Sequence, residues 1–145
     1  MMKKTFAILA TLFFSLASCA DNEYAVTYSQ LPAEAQLFVK TYFNIEDIAY
    51  IELEKDGLFS EYTVYLKNST TIDFDHTGKL ESIDCGRNPI PEGIILETIV
   101  NYLNQHYPNL FAVKYTIDTR YIEIELNNGM ELVFDLNGNF IRIDD

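Results

Sequence analysis

The side chains with the clearest chemical potential in this 145-residue chain are carboxylates spaced two residues apart. Glu52 and Glu54 form one such pair, and Glu123 and Glu125 form another. Residues at i and i+2 lie on the same face of a β-strand, so each pair would share one sheet face. Carboxylate-dependent hydrolysis needs two acids in different environments within a cleft, which spacing alone does not provide. A small acid-dependent hydrolase is therefore an alternative, and a solvated acidic face is preferred.

A second acidic pattern partly matches a calcium-binding loop. It comprises Asp73, Asp75 and Gly78, with Asp84 at the twelfth position, where a longer bidentate glutamate is usual. The same residues fit a β-hairpin in which Asp75 caps the turn and Gly78 adopts a positive φ. We favour the hairpin and expect neither a metal nor another cofactor. A calcium-stabilised envelope protein is the alternative.

Composition and missing motifs argue against other functions. The chain carries 22 Asp+Glu against 10 Lys+Arg, a net charge of −12 that disfavours nucleic-acid binding. It contains no motif of a serine or zinc hydrolase and no Gly-rich phosphate loop. A hydrophobic content of 48% is typical of a folded domain. We expect a protein that is not an enzyme.

The N-terminal residues are typical of an export signal. Lys3 and Lys4 precede an apolar run over residues 6–16, which is too short to span a bilayer. The following Leu-Ala-Ser-Cys19 resembles the lipobox of bacterial lipoproteins, in which the cysteine carries the lipid. Cleavage after Ala20 is the alternative.

These features predict an exported bacterial lipoprotein of the periplasm, outer membrane or cell surface. Residues 1–18 would be the signal peptide, Cys19 the lipidation site and residues 19–28 a tether. The membrane would be contacted only through the lipid. Removal of the signal takes away two lysines and leaves a charge of −14.

The pattern of residues 29–145 predicts two tandem copies of one structural unit. A shift of 60 residues aligns nine identical pairs, among them Phe74 with Phe134 and Gly78 with Gly138. Each copy, 29–85 and 88–145, begins near an X-Pro pair, continues with apolar residues at helical spacing and then alternates with period 2. The predicted α+β fold is a tandem repeat of one helix and a four-strand antiparallel meander. It would form one sheet of roughly eight strands with both helices on one face.

The paired units resemble the PepSY-like, β-lactamase-inhibitor-like (BLIP-like) family of exported bacterial proteins. The resemblance rests on the hairpin Ile72-Asp73-Phe74-Asp75-x-x-Gly78 and on its second copy, which ends at Gly138. It implies a curved sheet whose open face meets a protein partner. It does not imply β-lactamase inhibition, and no site residue is carried over from the family.

The face opposite the helices is the candidate binding surface. Alternation places tyrosines and acids there, and such amphipathic side chains are common at protein interfaces. The partner would be a protein or peptide, and a basic one would be steered by the negative charge. A solvated face kept soluble by charge is the competing interpretation. The predicted contact residues are Tyr50, Tyr65, Tyr121, Glu52, Glu61, Glu123 and Glu125.

The lipobox gives a direct prediction for Cys19. The substitution Cys19→Ala removes the thiol that would be acylated, so the protein should leave the membrane fraction. Detergent-phase partitioning of the variant and the parent measures this. If the variant still partitions into the detergent phase like the parent, the lipoprotein interpretation is wrong.

Overall fold

A computed structural model describes residues 22–144 of the protein. The predicted signal peptide and Cys19 lie outside the described residues. Two α-helices and nine β-strands form the fold, together with two short 3-10 turns at Tyr28–Gln30 and Ile45–Asp47. The strands are β1 Glu23–Val26, β2 Ile48–Asp56, β3 Phe59–Leu66, β4 Thr71–Phe74, β5 Leu80–Asp84, β6 Ala112–Ile117, β7 Tyr121–Leu126, β8 Glu131–Asp135 and β9 Phe140–Asp144.

All nine strands join one open antiparallel sheet in chain order, from β1 to β9. Each neighbouring pair is antiparallel, so the chain builds the sheet by turning back at every connection. The predicted α+β class is confirmed, and the strand count is corrected from about eight to nine.

The additional strand, β1, lies within the segment that the sequence predicts to be a tether. Tyr24 pairs with Leu53 and Val26 with Ile51, so residues 23–26 form an edge strand. The sequence Glu-Tyr-Ala-Val alternates with period 2, but four residues are too few to stand out without their pairing partner. The predicted tether 19–28 is therefore wrong for residues 23–26.

Strand alternation sorts the side chains onto two faces. Ile72 pairs with Ile83, Ile83 with Tyr115, Tyr115 with Ile124 and Ile124 with Leu132, and these residues are all buried. Their face is called the core face here. Phe74 and Phe134 also lie on the core face, and both are fully buried.

The helices α1, Ala33–Tyr42, and α2, Glu97–His106, both contribute to the core cluster. Phe38 of α1 packs edge-on against Phe74, with ring centroids 5.5 Å apart. Tyr102 of α2 packs in the same way against Phe134 at 5.4 Å. Within residues 22–144, neither helix is long and apolar enough to cross a membrane.

The start of α2 differs from the sequence-based expectation. The Ile90-Pro91 pair predicts a helix from this point, but residues 91–96 form turns and α2 begins at Glu97. Gly93 adopts a φ of +96°, a left-handed conformation that a right-handed helix cannot include. Proline position alone therefore predicts the helix start six residues too early.

A close approach between a turn and a helix recurs in both halves. Gly78 has a φ of +91°, and a Cβ atom placed there would lie 2.8 Å from the backbone nitrogen of Ala35. Gly138 has a φ of +85°, and its Cβ would lie 2.8 Å from the Cβ of Thr98. Each glycine therefore lets a hairpin turn touch the first turn of a helix.

The substitution Gly78→Ala should destabilise the fold more than Gly129→Ala. Gly129 has a similar φ of +87°, but a methyl group there would have no atom within 4 Å, so alanine carries only the backbone strain of about 1–2 kcal/mol. Gly78→Ala adds a steric cost of about 1–3 kcal/mol. Urea unfolding of the two variants measures the difference. Equal losses would mean that the turn and α1 are not in firm contact.

Candidate binding face

The face opposite the core face, called the open face here, carries two continuous rows of side chains across the sheet. Successive pairings define both rows, because residues directly opposite each other in neighbouring strands share a face. The first row is Glu52, Thr63, Asp73, Ser82, Thr116, Glu123, Val133 and Arg142. The second row is Tyr50, Tyr65, Thr71, Asp84, Lys114, Glu125, Glu131 and Asp144.

Three of the predicted contact residues form one cluster on β2 and β3. The rings of Tyr50 and Tyr65 stack with centroids 4.3 Å apart and planes inclined by 17°. The hydroxyl of Tyr65 donates a hydrogen bond of 3.1 Å to Oε2 of Glu52. Tyr50 is 54% exposed, so the stack presents one aromatic surface to solvent beside a carboxylate.

Glu61 extends this cluster along the hairpin. It lies opposite Glu54, and Glu54 lies opposite Glu23 on the edge strand. A hydrogen bond with Glu52, together with the negative charge of that carboxylate, raises the pKa of Glu23. Four carboxylates thus gather at one end of the open face, where a cation would relieve their mutual repulsion.

The acids of the calcium-like pattern have separate roles in the structure. Asp73 accepts hydrogen bonds from the hydroxyls of Thr63 at 2.7 Å and Ser82 at 2.6 Å. Asp75 caps its own turn and Asp84 accepts from the backbone nitrogen of Gly86. In the part of the chain that the structure describes, no three acid, histidine or cysteine side chains are grouped to hold a metal ion.

The turn cap lowers the pKa of Asp75. Burial opposes ionisation, but hydrogen bonds from Thr77 and from the backbone nitrogen of Lys79 outweigh it and hold the pKa of Asp75 below its ordinary value. Asp135 holds the matching turn of the second half, and its pKa is lowered by the backbone and side-chain hydrogen bonds of Asn139. Both acids therefore serve as hairpin caps.

Glu123 and Glu125 belong to a second cluster, on β6 to β8. Glu125 lies between Lys114 and Glu131 across the strands, and Glu123 lies between Thr116 and Val133. A shallow depression of about 50 Å³ opens among these side chains. The structure therefore separates the predicted acids into two groups, one in each half of the sheet.

Tyr121 occupies a different environment from the other two tyrosines. The guanidinium groups of Arg120 and Arg142 lie 5.6 and 5.7 Å from its ring centroid. Cation–π contacts of this kind are favourable within about 6 Å, so Tyr121 is already partnered inside the chain. It lies on the open face as predicted but does not join the cluster of Tyr50 and Tyr65.

The family described as "Putative beta-lactamase-inhibitor-like, PepSY-like" matches residues 60–142. The chain belongs to this PepSY-like family. Its open face is therefore the face of a PepSY-like sheet. No curated protein matches the chain.

Three solved structures from Bacteroides share the fold of this PepSY-like chain. A "putative calcium-regulated periplasmic protein" from Bacteroides thetaiotaomicron is 34% identical, with a TM-score of 0.80 over 87% of this chain and 99% of that one. A "putative periplasmic protein" of the DUF2874 family from Bacteroides vulgatus is 31% identical, with a TM-score of 0.81 over the same shares. A second such protein from Bacteroides vulgatus, described as of unknown function, is 28% identical, with a TM-score of 0.79 over 85% and 99%. These descriptions support an exported bacterial protein.

A β-bulge places one acid of the PepSY-like sheet where simple alternation does not. Asp73 pairs with Ser82 and Phe74 pairs with Leu80, so Glu81 is an extra residue in β5. Burial, followed by the charge of Glu61, raises the pKa of Glu81. Period-2 alternation alone does not distinguish Glu81 from its neighbours. Ile141 lies 60 residues after Glu81, which is the repeat shift, and it is also the extra residue at a bulge. This repeated position is the signal that could have indicated Glu81.

The carboxylates of the open face have few cationic partners. In residues 22–144 the structure contains a single ion pair, between Arg142 and Asp144 at 3.8 Å. Lys114 lies opposite both Asp84 and Glu125 but forms an ion pair with neither within these residues. Apart from Asp144, the carboxylates of the open face are thus not neutralised by ion pairs within the described chain.

The hydrogen bond to Glu52 gives a prediction for Tyr65. Burial first, and then the hydrogen bond and charge of Glu52, raise the pKa of Tyr65 to about 12. The substitution Glu52→Gln removes the charge, so the pKa should fall but stay above the ordinary value because burial remains. Phenol titration by carbon-13 NMR measures it, with Glu123→Gln on the other cluster as the control. An unchanged value in Glu52→Gln would contradict the contact.

The raised pKa of Tyr65 also makes the stability of the fold depend on pH. The pKa of Tyr65 is higher in the folded state than the value of about 10 expected for an unfolded chain. The stabilisation that this pKa difference gives to the folded state is therefore complete below pH ~10. It is lost as the pH rises toward the pKa of Tyr65 in the folded state. The variant Tyr65→Phe should lose less stability than the parent over this alkaline range. An identical alkaline loss in both proteins would argue against the shift.

Proposed function

We propose that this PepSY-like protein is a non-catalytic, lipid-anchored binding module of the periplasm or cell surface. It engages a basic protein or peptide through the open face of its sheet. The observation that carries the proposal is the row of carboxylates beside the Tyr50–Tyr65 stack, none of which is ion-paired within residues 22–144 except Asp144. The Cys19 lipobox supports the anchor.

We also infer that the two halves are tandem copies and that both helices lie on the core face. The contact of Phe38 with Phe74 is repeated, with nearly the same distance and angle, by Tyr102 and Phe134. The approach of Gly78 to α1 is repeated by Gly138 and α2. In this arrangement both helices leave the open face free for a partner.

The chemistry of the face favours a protein over a small molecule. The depressions on this face are small for an organic ligand: about 50 Å³ beside Glu123 and about 210 Å³ among Glu54, Asp56, Phe59 and Glu61. The Tyr50–Tyr65 stack instead offers a rigid aromatic surface of the kind that anchors protein interfaces. Unpaired carboxylates on both sides of the stack would bind lysine and arginine side chains and raise the rate of encounter with a basic partner.

A calcium-stabilised protein is the second candidate, and the description of the Bacteroides thetaiotaomicron relative favours it. Thermal unfolding with excess calcium and with a chelator separates the two proposals. A binding module that uses its acids for a basic partner should melt at the same temperature in both conditions. A clear rise in melting temperature with calcium would favour the second candidate, because a ligand stabilises the state that binds it.

Capture of envelope proteins by the mature domain tests the main proposal. The double variant Tyr50→Ala, Tyr65→Ala should lose a basic partner that the parent retains, and added salt should weaken the retention. A second double variant, Glu123→Gln, Glu125→Gln, tests the acidic cluster of the other half. The matched control is Leu37→Ala, Glu97→Gln, which changes one apolar and one acidic residue on the exposed sides of the helices.

Capture through any other surface would contradict the proposal. A partner that is lost by the helix control but kept by both open-face variants would place binding on the helices. A set of captured proteins identical for all four proteins, and insensitive to salt, would mean that the open face is only a solvated surface.

A further inference from the structure

The β2–β3 hairpin is longer than its counterpart in the second half and ends in two exposed apolar residues. β2 and β3 have nine and eight residues, whereas β6 and β7 have six each. Leu58 at the tip is 96% exposed and Phe59 is 66% exposed. The first pairing of β3 with β4 is at Tyr62, so the tip extends beyond the end of β4.

The N-terminal end of the described chain lies beside this hairpin. The carbonyl oxygen of Asn22 accepts a hydrogen bond of 2.9 Å from the backbone nitrogen of Lys55, three residues before Leu58. β1 runs antiparallel to β2, so its N-terminal end faces the tip. Cys19 precedes Asn22 by three residues, and such a segment reaches about 10 Å at most. A lipid on Cys19 would therefore hold the tip close to the membrane.

We propose that the tip, Leu58 and Phe59, inserts into the interfacial region of a zwitterionic phospholipid bilayer beside the lipid anchor. This inference rests on the anchor of the proposed function. Leucine and phenylalanine side chains gain free energy on leaving water for the headgroup and acyl-chain boundary. The tip thus becomes a second attachment point, which fixes the orientation of the domain.

The charges around the tip select the kind of lipid and limit the depth of insertion. Three carboxylates, Glu54, Asp56 and Glu61, lie on the hairpin strands just behind the tip, against one cation, Lys55, so the local charge is negative. Carboxylates are repelled by anionic headgroups and stay in water, so the tip enters a zwitterionic surface only as far as its two apolar residues. With two attachment points at one end of the strands, the open face stands clear of the membrane and is accessible to a partner.

Tryptophan fluorescence tests the insertion directly, because the chain contains no tryptophan. Leu58→Trp places an indole at the tip, and Leu37→Trp places one on α1, where the replaced leucine is 66% exposed. The mature chain is coupled through Cys19 to a maleimide lipid in phosphatidylcholine vesicles that contain brominated acyl chains. Cys85 does not compete because it is buried, and burial raises the pKa of its thiol.

The indole of Leu58→Trp should shift to shorter emission wavelength on coupling and be quenched about threefold more than that of Leu37→Trp. Replacing phosphatidylcholine by phosphatidylglycerol should reduce this quenching. Equal quenching of the two indoles, or tip emission unchanged from the uncoupled protein, would overturn the insertion.

The lipid on Cys19 is measured separately by mass spectrometry of the protein isolated from cell membranes. A missing lipid would refute the anchor of the proposed function, and the inference would fall with it. A lipidated Cys19 together with an unquenched tip would refute the insertion alone. The maleimide lipid anchors the chain in vesicles whether or not Cys19 is lipidated in cells. Failure of the insertion can therefore be distinguished from failure of the natural anchor.

Discussion

Antiparallel pairing along a sheet with one buried side determines most features of this protein. Each strand must place every second residue in the core, so the same register that buries Phe74 also places the half-buried Asp73 on the open face. A shift of one residue in a strand would exchange the two sets. The acidic face is therefore not independent of the core. The packing of Phe74 and Phe134 against the helices fixes where the acids and tyrosines lie.

Much of the fold could be predicted from sequence because its signals are local. Period-2 alternation predicted antiparallel strands after each helical segment, and Asp75 and Gly78 predicted the turn between β4 and β5. The features that were missed depend on distant partners. β1 is a strand only because β2 lies beside it, and Glu81 is displaced only because β4 and β5 pair with one extra residue. The late start of α2 follows from the left-handed backbone of Gly93, which the proline signal does not reveal.

The candidate site was predictable as a face but not as a set of contacts. Alternation placed Tyr50, Tyr65 and Tyr121 on the same side of the sheet. Whether two of them stack depends on the register between β2 and β3, and the arginines around Tyr121 come from a neighbouring turn and from β9. The two halves also differ in chemistry, since Asp73 binds two hydroxyl groups where the second half has the buried Val133. The first half is thus the more polar and aromatic part of the proposed binding surface.

The central claim is that the open face, not the helical side, contacts the partner. Chemical-shift mapping tests it most directly, with nitrogen-15-labelled mature domain carrying Cys19→Ala and the basic partner that the parent captures. The account predicts shifts at Tyr50, Glu52 and Tyr65 and at the strands around Glu123, with little change along α1 and α2. Shifts concentrated on the two helices, with the open-face strands unchanged, would contradict it.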